Sequence, residues 1–160
     1  LQPGPGVGGH CIAVDPWFIA HSASEESVLI RTARGVNLRK TDWVIEQAEN
    51  LIRLESAEVP IICLGLSYKA DVDDLRESPA AEVTRVLAQR YPGRVRAVEP
   101  NIPALPEPLA QLGVELVSYS TALEQRSIVL LLVDHREFRV GRPASLAESP
   151  LVDTRGLWTS

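Results

Sequence analysis

The chain has 160 residues, 45% of them hydrophobic and 23% charged, with a net charge of −5. That length suits one globular domain, or one domain with an appendage, and hides about 70% of the unfolded surface. The acidic balance leaves no basic patch, which argues against nucleic acid as a partner, and no apolar run is long enough to span a membrane or reads as a signal peptide.

The two cysteines, Cys11 and Cys63, are too few for a disulfide framework. Cys63 lies in PIICLGL and reads as a small buried hydrophobe. Free thiols fit a reducing, cytoplasmic setting. Methionine is absent, and the chain opens inside a Pro/Gly-rich stretch. The expectation is a piece of a longer protein, cut at its N-terminal side.

In chain order, residues 1–16 are rich in glycine and proline and are expected to be irregular. Residues 25–54 carry apolar positions at three- and four-residue steps (Val28, Leu29, Val36, Trp43, Val44, Leu51, Leu54) and predict one long helix. Ser24 with Glu25 and Glu26 suits its start. Gly35 could bend or split it. A helix this long reads as a connector or a dimerisation spine.

After Pro60 the rhythm changes. Apolar runs at 61–66, 95–99, 114–119 and 128–134, with a shorter one at 151–153, read as strands. Between them lie helical candidates. The clearest is SPAAEVTRVLAQRY (78–91), with Ser78 as N-cap and Pro79 at the first helical position. PEPLAQLG (106–113) and TALEQ (121–125) are shorter. Continuous apolar strands alternating with helices predict a parallel sheet covered on both faces. The fold class is therefore α/β: a cysteine loop and long connecting helix over residues 1–58, then a Rossmann-like parallel-sheet domain over 59–160.

Within LQPGPGVGGHCIAVDPWF, Gly4, Gly6 and Gly9 spell a G-x-G-x-x-G. A dinucleotide fingerprint needs a strand before it and a helix after it. Here no strand precedes, and HCIAVDPW, with Pro16, is not expected to open as a helix. The other reading is a backbone path that lets a ligand approach Cys11. A nucleophilic thiolate needs a polar setting, and Asp15 could share it and orient or deprotonate a water. Local chemistry leaves two readings open, a nucleophile and an inert buried thiol. His10 should point away from Cys11 in an extended loop.

A second loop, LGLSYKADVDDLRESPA, runs from strand to helix N-terminus, where ligands bind in open α/β sheets. Lys69 and Arg76 suit phosphate oxygens, and the helix beginning at Ser78 adds backbone donors. The plainer reading pairs Asp71, Asp73 and Asp74 with those cations on a solvated loop. His135, after the fourth strand, reads as a surface histidine. Arg155, just past the last strand, falls on the same sheet edge as Lys69. Trp17, Trp43 and Trp158 read as packing residues. No spacing of Cys, His and Asp resembles a metal site.

Several separated stretches carry a resemblance that covers nearly the whole chain. GPGVGGHCIAVDPWF is similar to the catalytic-cysteine loop of the nucleotide-sugar 6-dehydrogenases, the UDP-glucose/UDP-N-acetylmannosamine dehydrogenase family. GLSYKADVDDLRESPA resembles the signature at the start of that family's UDP-binding domain, and VEPN, LVDHREF and VDTRGLW look like it too. His10-Cys11-Ile12-Ala13-Val14-Asp15 resembles the N-acetylhexosamine branch, most closely its N-acetylmannosamine-oxidising members.

The resemblance implies oxidation of the sugar's CH₂OH to a carboxylate with two NAD⁺ consumed in turn, in the synthesis of bacterial surface polysaccharide. It implies that Cys11 forms a thiohemiacetal and then a thioester, and that Asp15 positions the hydrolytic water. Gly8 would lie against the sugar. Tyr68, Lys69 and Arg155 would hold the UDP-sugar, and Arg76 would reach the NAD phosphates. The 25–54 helix would be the core of a homodimer. The N-terminal NAD-binding domain of that family is absent from this chain, so the chain alone is expected to be inactive. Three other readings compete. They are a nucleotide-binding module without chemistry, a dimerisation piece, and another cysteine enzyme such as an acyl transferase, whose base could only be His10.

Overall fold

The computed structural model describes residues 2–158. In chain order the elements are α1 (Asp15–Ser22), α2 (Val28–Ile52), β1 (Ile61–Leu64), α3 (Pro79–Arg90), β2 (Val95–Val98), α4 (Glu107–Gln111), β3 (Glu115–Leu116), α5 (Tyr119–Ala122), β4 (Ile128–Leu131) and β5 (Leu151–Asp153). Two 3-10 turns, Arg136–Phe138 and Ala144–Leu146, lie between β4 and β5.

All strand pairs are parallel, and their order is β3-β2-β1-β4-β5. Every residue of β1 and β4 is buried, as a sheet covered on both faces requires. Alternate side chains feed opposite layers. Ile61 and Cys63 join the core formed with Val44, Ile45 and Ile52 of α2 and Val83 and Leu87 of α3. Ile62 and Leu64 join a second core with Ala122, Phe138, Leu146 and Trp158. The strand order reverses between β1 and β4, so a crevice opens at their carboxyl ends. This is a Rossmann-like sheet, as the alternating pattern predicts.

Three local expectations are corrected. The stretch HCIAVDPW does feed a helix: α1 starts at Asp15, with Pro16 in its first turn, where a missing N–H is harmless. The long helix begins at Val28, not at residue 25, because Glu25 and Glu26 lie in the turn ahead of it. Its 25 residues run unbroken through Gly35 for about 37 Å. The strand expected at 114–119 is only Glu115–Leu116. Ser118 accepts the Thr121 N–H at 3.1 Å and caps α5, which takes the chain out of the sheet.

The apolar stripe of α2 is divided. Val44, Ile45, Ala48 and Ile52 are buried against the sheet. Val28, Leu29, Val36 and Leu38 stay exposed, as do Trp17, Phe18 and Ile19 of α1. Of the three tryptophans only Trp158 packs into a core, where its Nε1 donates to Phe138 O at 2.8 Å. Trp43 stays half-exposed beneath the Lys40 ammonium. Among the described residues no helix is long and apolar enough to cross a membrane.

Candidate functional site

The cysteine loop is held from below by α2. The Val7 N–H donates to Asn37 Oδ1 at 2.7 Å, and Asn37 Nδ2 donates back to Val7 O at 3.0 Å. One turn further on, Thr41 Oγ1 donates to Pro5 O at 3.0 Å. From above, the loop lies on the segment between β1 and α3. A Cβ on Gly8 would stand 2.2 Å from Glu77 O, and one on Gly9 would stand 2.9 Å from the Tyr68 ring. These glycines therefore let two backbone segments touch. Gly4 in turn abuts the Arg155 guanidinium. The three glycines of the G-x-G-x-x-G are packed against their own chain, Gly4 on Arg155, Gly6 on Pro79 and Thr41, and Gly9 on Tyr68.

Cys11 is exposed at the tip of this loop. The Asp15 N–H donates to Cys11 O at 2.8 Å, so the two residues stand one helical turn apart at the start of α1. Both side chains are open to solvent, and His10 makes no hydrogen bond to Cys11 among the described residues. Cys63 is the opposite case. Burial pushes its thiol up to about 12, against a hydrogen bond with Thr84.

The β1–α3 segment has an unusual backbone, with Asp71 at φ 60° and Glu77 at φ 50°. Non-glycine residues adopt such angles only where the surroundings hold them. Ser78 closes the segment: its Oγ accepts from Ala81 N and donates to Leu66 O at 2.6 Å. Arg76 forks onto Asp74, with Nε–Oδ1 at 2.9 Å and Nη2–Oδ2 at 2.6 Å. That contact holds the Asp74 carboxyl at about 2. The Arg76 guanidinium remains 68% exposed and within electrostatic reach of Cys11. Lys69 is exposed, and its ammonium has no hydrogen-bond or ion-pair partner among the described residues.

Under this segment lies a polar cluster that corrects the surface reading of His135. The His135 ring is fully buried. Its Nδ1 accepts the Asp71 N–H at 2.9 Å, and its Nε2 meets Glu99 Oε2 at 2.9 Å. Glu99 follows β2 and is itself buried. It accepts from Leu66 N at 2.7 Å, Ser67 N at 3.0 Å, and both Asn101 N and Nδ2 at 3.1 Å. Burial alone would push its carboxyl up; the His135, Leu66 and Asn101 donors outweigh this and hold it at about 2. Sequence reasoning passed over Glu99 and Asn37. The VEPN stretch held one signal, an acid directly after a strand.

Arg155 is half-buried and engaged. Its Nε and Nη2 contact Asp134 Oδ1 at 2.8 and 2.5 Å, and its Nη1 donates to Pro3 O. The structure thus brings together Gly8, Gly9, Tyr68 and Glu77, sets Arg76 near Cys11, and ties Arg155 to the start of the cysteine loop. Asp71 receives the Arg136 N–H at 3.0 Å instead of pairing with Lys69. For a dinucleotide phosphate, the exposed Arg76 guanidinium offers one contact, shared with its fork onto Asp74. Among the described residues no group of His, Cys, Asp and Glu could hold a metal ion.

A Rossmann-like parallel sheet whose strand-end segment is met by Gly8 and Gly9 of the Cys11 loop defines an α/β domain joined to a loop-and-helix segment. The chain belongs to the UDP-glucose/GDP-mannose dehydrogenase family: the family's UDP-binding domain matches residues 62–160, and its central domain matches residues 1–39. It is 51% identical over 160 residues to an NDP-N-acetyl-D-galactosaminuronic acid dehydrogenase of Ralstonia solanacearum, covering 100% of this chain and 37% of that protein. It is 45% identical over 165 residues to the UDP-N-acetyl-D-mannosamine dehydrogenase of Yersinia pestis, covering 99% of this chain and 39% of the relative. The UDP-N-acetyl-mannosamine dehydrogenase structure from Staphylococcus aureus superposes with a TM-score of 0.72 at 32% identity, over 100% of this chain and 36% of that one. The Pyrococcus horikoshii UDP-D-ManNAc dehydrogenase gives 0.78 at 28% identity, over 100% of this chain and 37% of that one. The chain therefore spans under two fifths of the length of these relatives.

Proposed function

We propose that this chain is the cysteine-loop and UDP-binding part of an NAD-dependent nucleotide-sugar 6-dehydrogenase acting on a UDP-N-acetylhexosamine. The observation that carries the reading is the docking of the Cys11 loop, through Gly8 and Gly9, onto the segment bearing Tyr68 and Lys69. A nucleotide held at the carboxyl ends of β1 and β4 would present its sugar to the thiol. Lys69 is a free cation suited to the diphosphate, and Tyr68 and Gly8 border the path to Cys11. Arg155 contributes by fixing the start of the loop.

The chemistry follows from an exposed thiol. Loss of hydride from C6 and of the proton from its hydroxyl turns the substrate's CH₂OH into an aldehyde; Cys11 Sγ then adds to C6, its proton passing to the aldehyde oxygen, and gives a thiohemiacetal. Loss of hydride from C6 and of the hydroxyl proton gives a thioester. Water then cleaves it to the carboxylate and returns the proton to the thiol. Asp15, one turn from Cys11, orients that water. NAD⁺, when bound, supplies the oxidant for the two hydride losses, and Arg76 is the residue here suited to its phosphates. Support for an N-acetylhexosamine comes from relatives named for N-acetylmannosamine and N-acetylgalactosaminuronic acid. The exposed apolar residues of α1 and α2 suit burial against a second subunit.

The test is NADH formation by the protein carrying its NAD-binding domain, with UDP-N-acetylmannosamine, UDP-N-acetylgalactosamine, UDP-N-acetylglucosamine and UDP-glucose, beside Cys11→Ala. Two NADH per sugar with one N-acetylated substrate, lost in the variant, is the expected result. No NADH with any sugar would overturn the reading. The 160-residue chain alone should bind UDP without forming NADH, because its glycine loop is occupied by its own packing.

A further inference from the structure

We infer that the buried Glu99–His135 pair is a positioning device for the substrate loop, setting Tyr68 and Lys69 from below and, through Tyr68 and Glu77, the cysteine loop as well. The inference rests on the reading that this loop holds the UDP-sugar.

The geometry is a bracket. A backbone N–H can only donate, so the Asp71 N–H fixes His135 Nδ1 as an acceptor. Asn101 Nδ2, 3.0 Å from the same atom, also offers protons. The ring proton therefore sits on Nε2, aimed at Glu99 Oε2 with Ser67 Oγ 3.3 Å away. Glu99 in turn grips Leu66 N and Ser67 N at the start of the loop. One pair thus holds both sides of Tyr68–Ala70: Leu66 and Ser67 through Glu99, Asp71 through His135. Inside the bracket Ser67 Oγ donates to Lys69 O at 2.7 Å, and Tyr68 N donates to Asp74 O at 3.1 Å. Asp71 keeps its left-handed φ of 60° while its N–H is held by His135 and its carboxylate by Arg136 N.

A purely structural pair would not need to be polar. Two apolar side chains would fill the same space without the desolvation cost of a buried carboxylate. Every acceptor position used by Glu99 is instead met by a donor from the loop, from His135 or from Asn101. The linkage then passes upward. The Tyr68 ring contacts Gly9, and Glu77 O contacts Gly8, so a shift of the loop moves the segment carrying Cys11.

The test uses UDP binding by the full chain together with amide hydrogen exchange. In the wild type, the Asp71 amide is expected to be protected, and nitrogen-15 shifts should place the His135 proton on Nε2. His135→Asn retains an acceptor near the Nδ1 position and should keep Asp71 protected while releasing Glu99. His135→Gln retains a donor near Nε2 and should release Asp71. Both, and Glu99→Gln, should weaken UDP binding by about tenfold or more and speed exchange at the Tyr68 amide, which donates to Asp74 O. A proton on Nδ1 or an unprotected Asp71 amide in the wild type would overturn the inference, even if the variants fail to fold. So would folded variants with unchanged exchange. If the wild type does not bind UDP, the substrate reading fails, and the exchange and tautomer results still decide whether the pair positions the loop.

Discussion

The Asn37 side-chain amide pairs with the main chain of Val7 as a neighbouring strand would, donating to its carbonyl at 3.0 Å and accepting its N–H at 2.7 Å. This two-point clamp fixes the cysteine loop to α2 four residues ahead of Cys11. Replacing Asn37 with alanine strands both groups of Val7. Each lost hydrogen bond costs about 1 kcal/mol, so a loss of about 1–3 kcal/mol is expected in urea unfolding. Asn37→Ala at wild-type stability would show that the loop does not depend on the clamp.

Glycine substitutions should separate packing from helix propensity. Gly8→Ala would push a methyl onto Glu77 O and Pro79 Cδ, at 2.2 and 2.7 Å. Backbone cannot yield as a flexible side chain does, so the loop must lift. A loss of about 1–3 kcal/mol and a marked fall in UDP affinity are expected. Gly35 sits inside α2, and its nearest added contact is the Arg39 guanidinium, the far end of a long side chain, at 3.6 Å. Gly35→Ala should therefore stabilise the chain by about 0.5–1 kcal/mol. Opposite signs in thermal melts are the expected pattern; equal effects would refute the docking of Gly8.

The sheet was legible because β1 and β4 are buried on both faces, which leaves an uninterrupted apolar run whatever the tertiary detail. The start of α3 was legible because Ser78 and Pro79 act locally. The start of α2 was not: Glu25 and Glu26 favour a first turn, but the chain must first close the turn after α1, and Ser27 is buried there. Cys11, Lys69 and Arg76 could be picked out by residue type and position. His135 could not, since its burial depends on Glu99, Asp71 and Ser67 arriving from two other strand ends. Asn37 was hidden for the same reason. Its partner lies 30 residues away, and nothing local marks an asparagine on a helix as a clamp.

Acid should expose the role of Glu99. Its carboxyl is held at about 2 in the folded chain, below the ordinary 4.5. A depressed folded value means stability that is present above the ordinary carboxylate range and is lost as pH falls from about 4.5 through 2. The difference in unfolding free energy between wild type and Glu99→Gln should be largest near pH 6, on the order of 3 kcal/mol, and should shrink by pH 2. Denaturant melts at several pH values give this difference directly. A gap that stays constant down to pH 2 would mean that Glu99 is not held as an anion.

The two thiols should differ sharply in reactivity. Cys63 is fully buried in β1, and burial holds its thiol at about 12, so at pH 8 it carries almost no thiolate and admits no reagent. Cys11 is exposed at the loop tip, near the Arg76 guanidinium. Iodoacetamide on the folded chain should therefore add one equivalent, on Cys11, and the second only after unfolding. Mass spectrometry of the digested chain assigns the position. If UDP-sugar occupies the crevice beneath the loop, its addition should protect Cys11 in the wild type. Alkylation that is indifferent to ligand would place the thiol outside the site and remove the main support for its role as nucleophile.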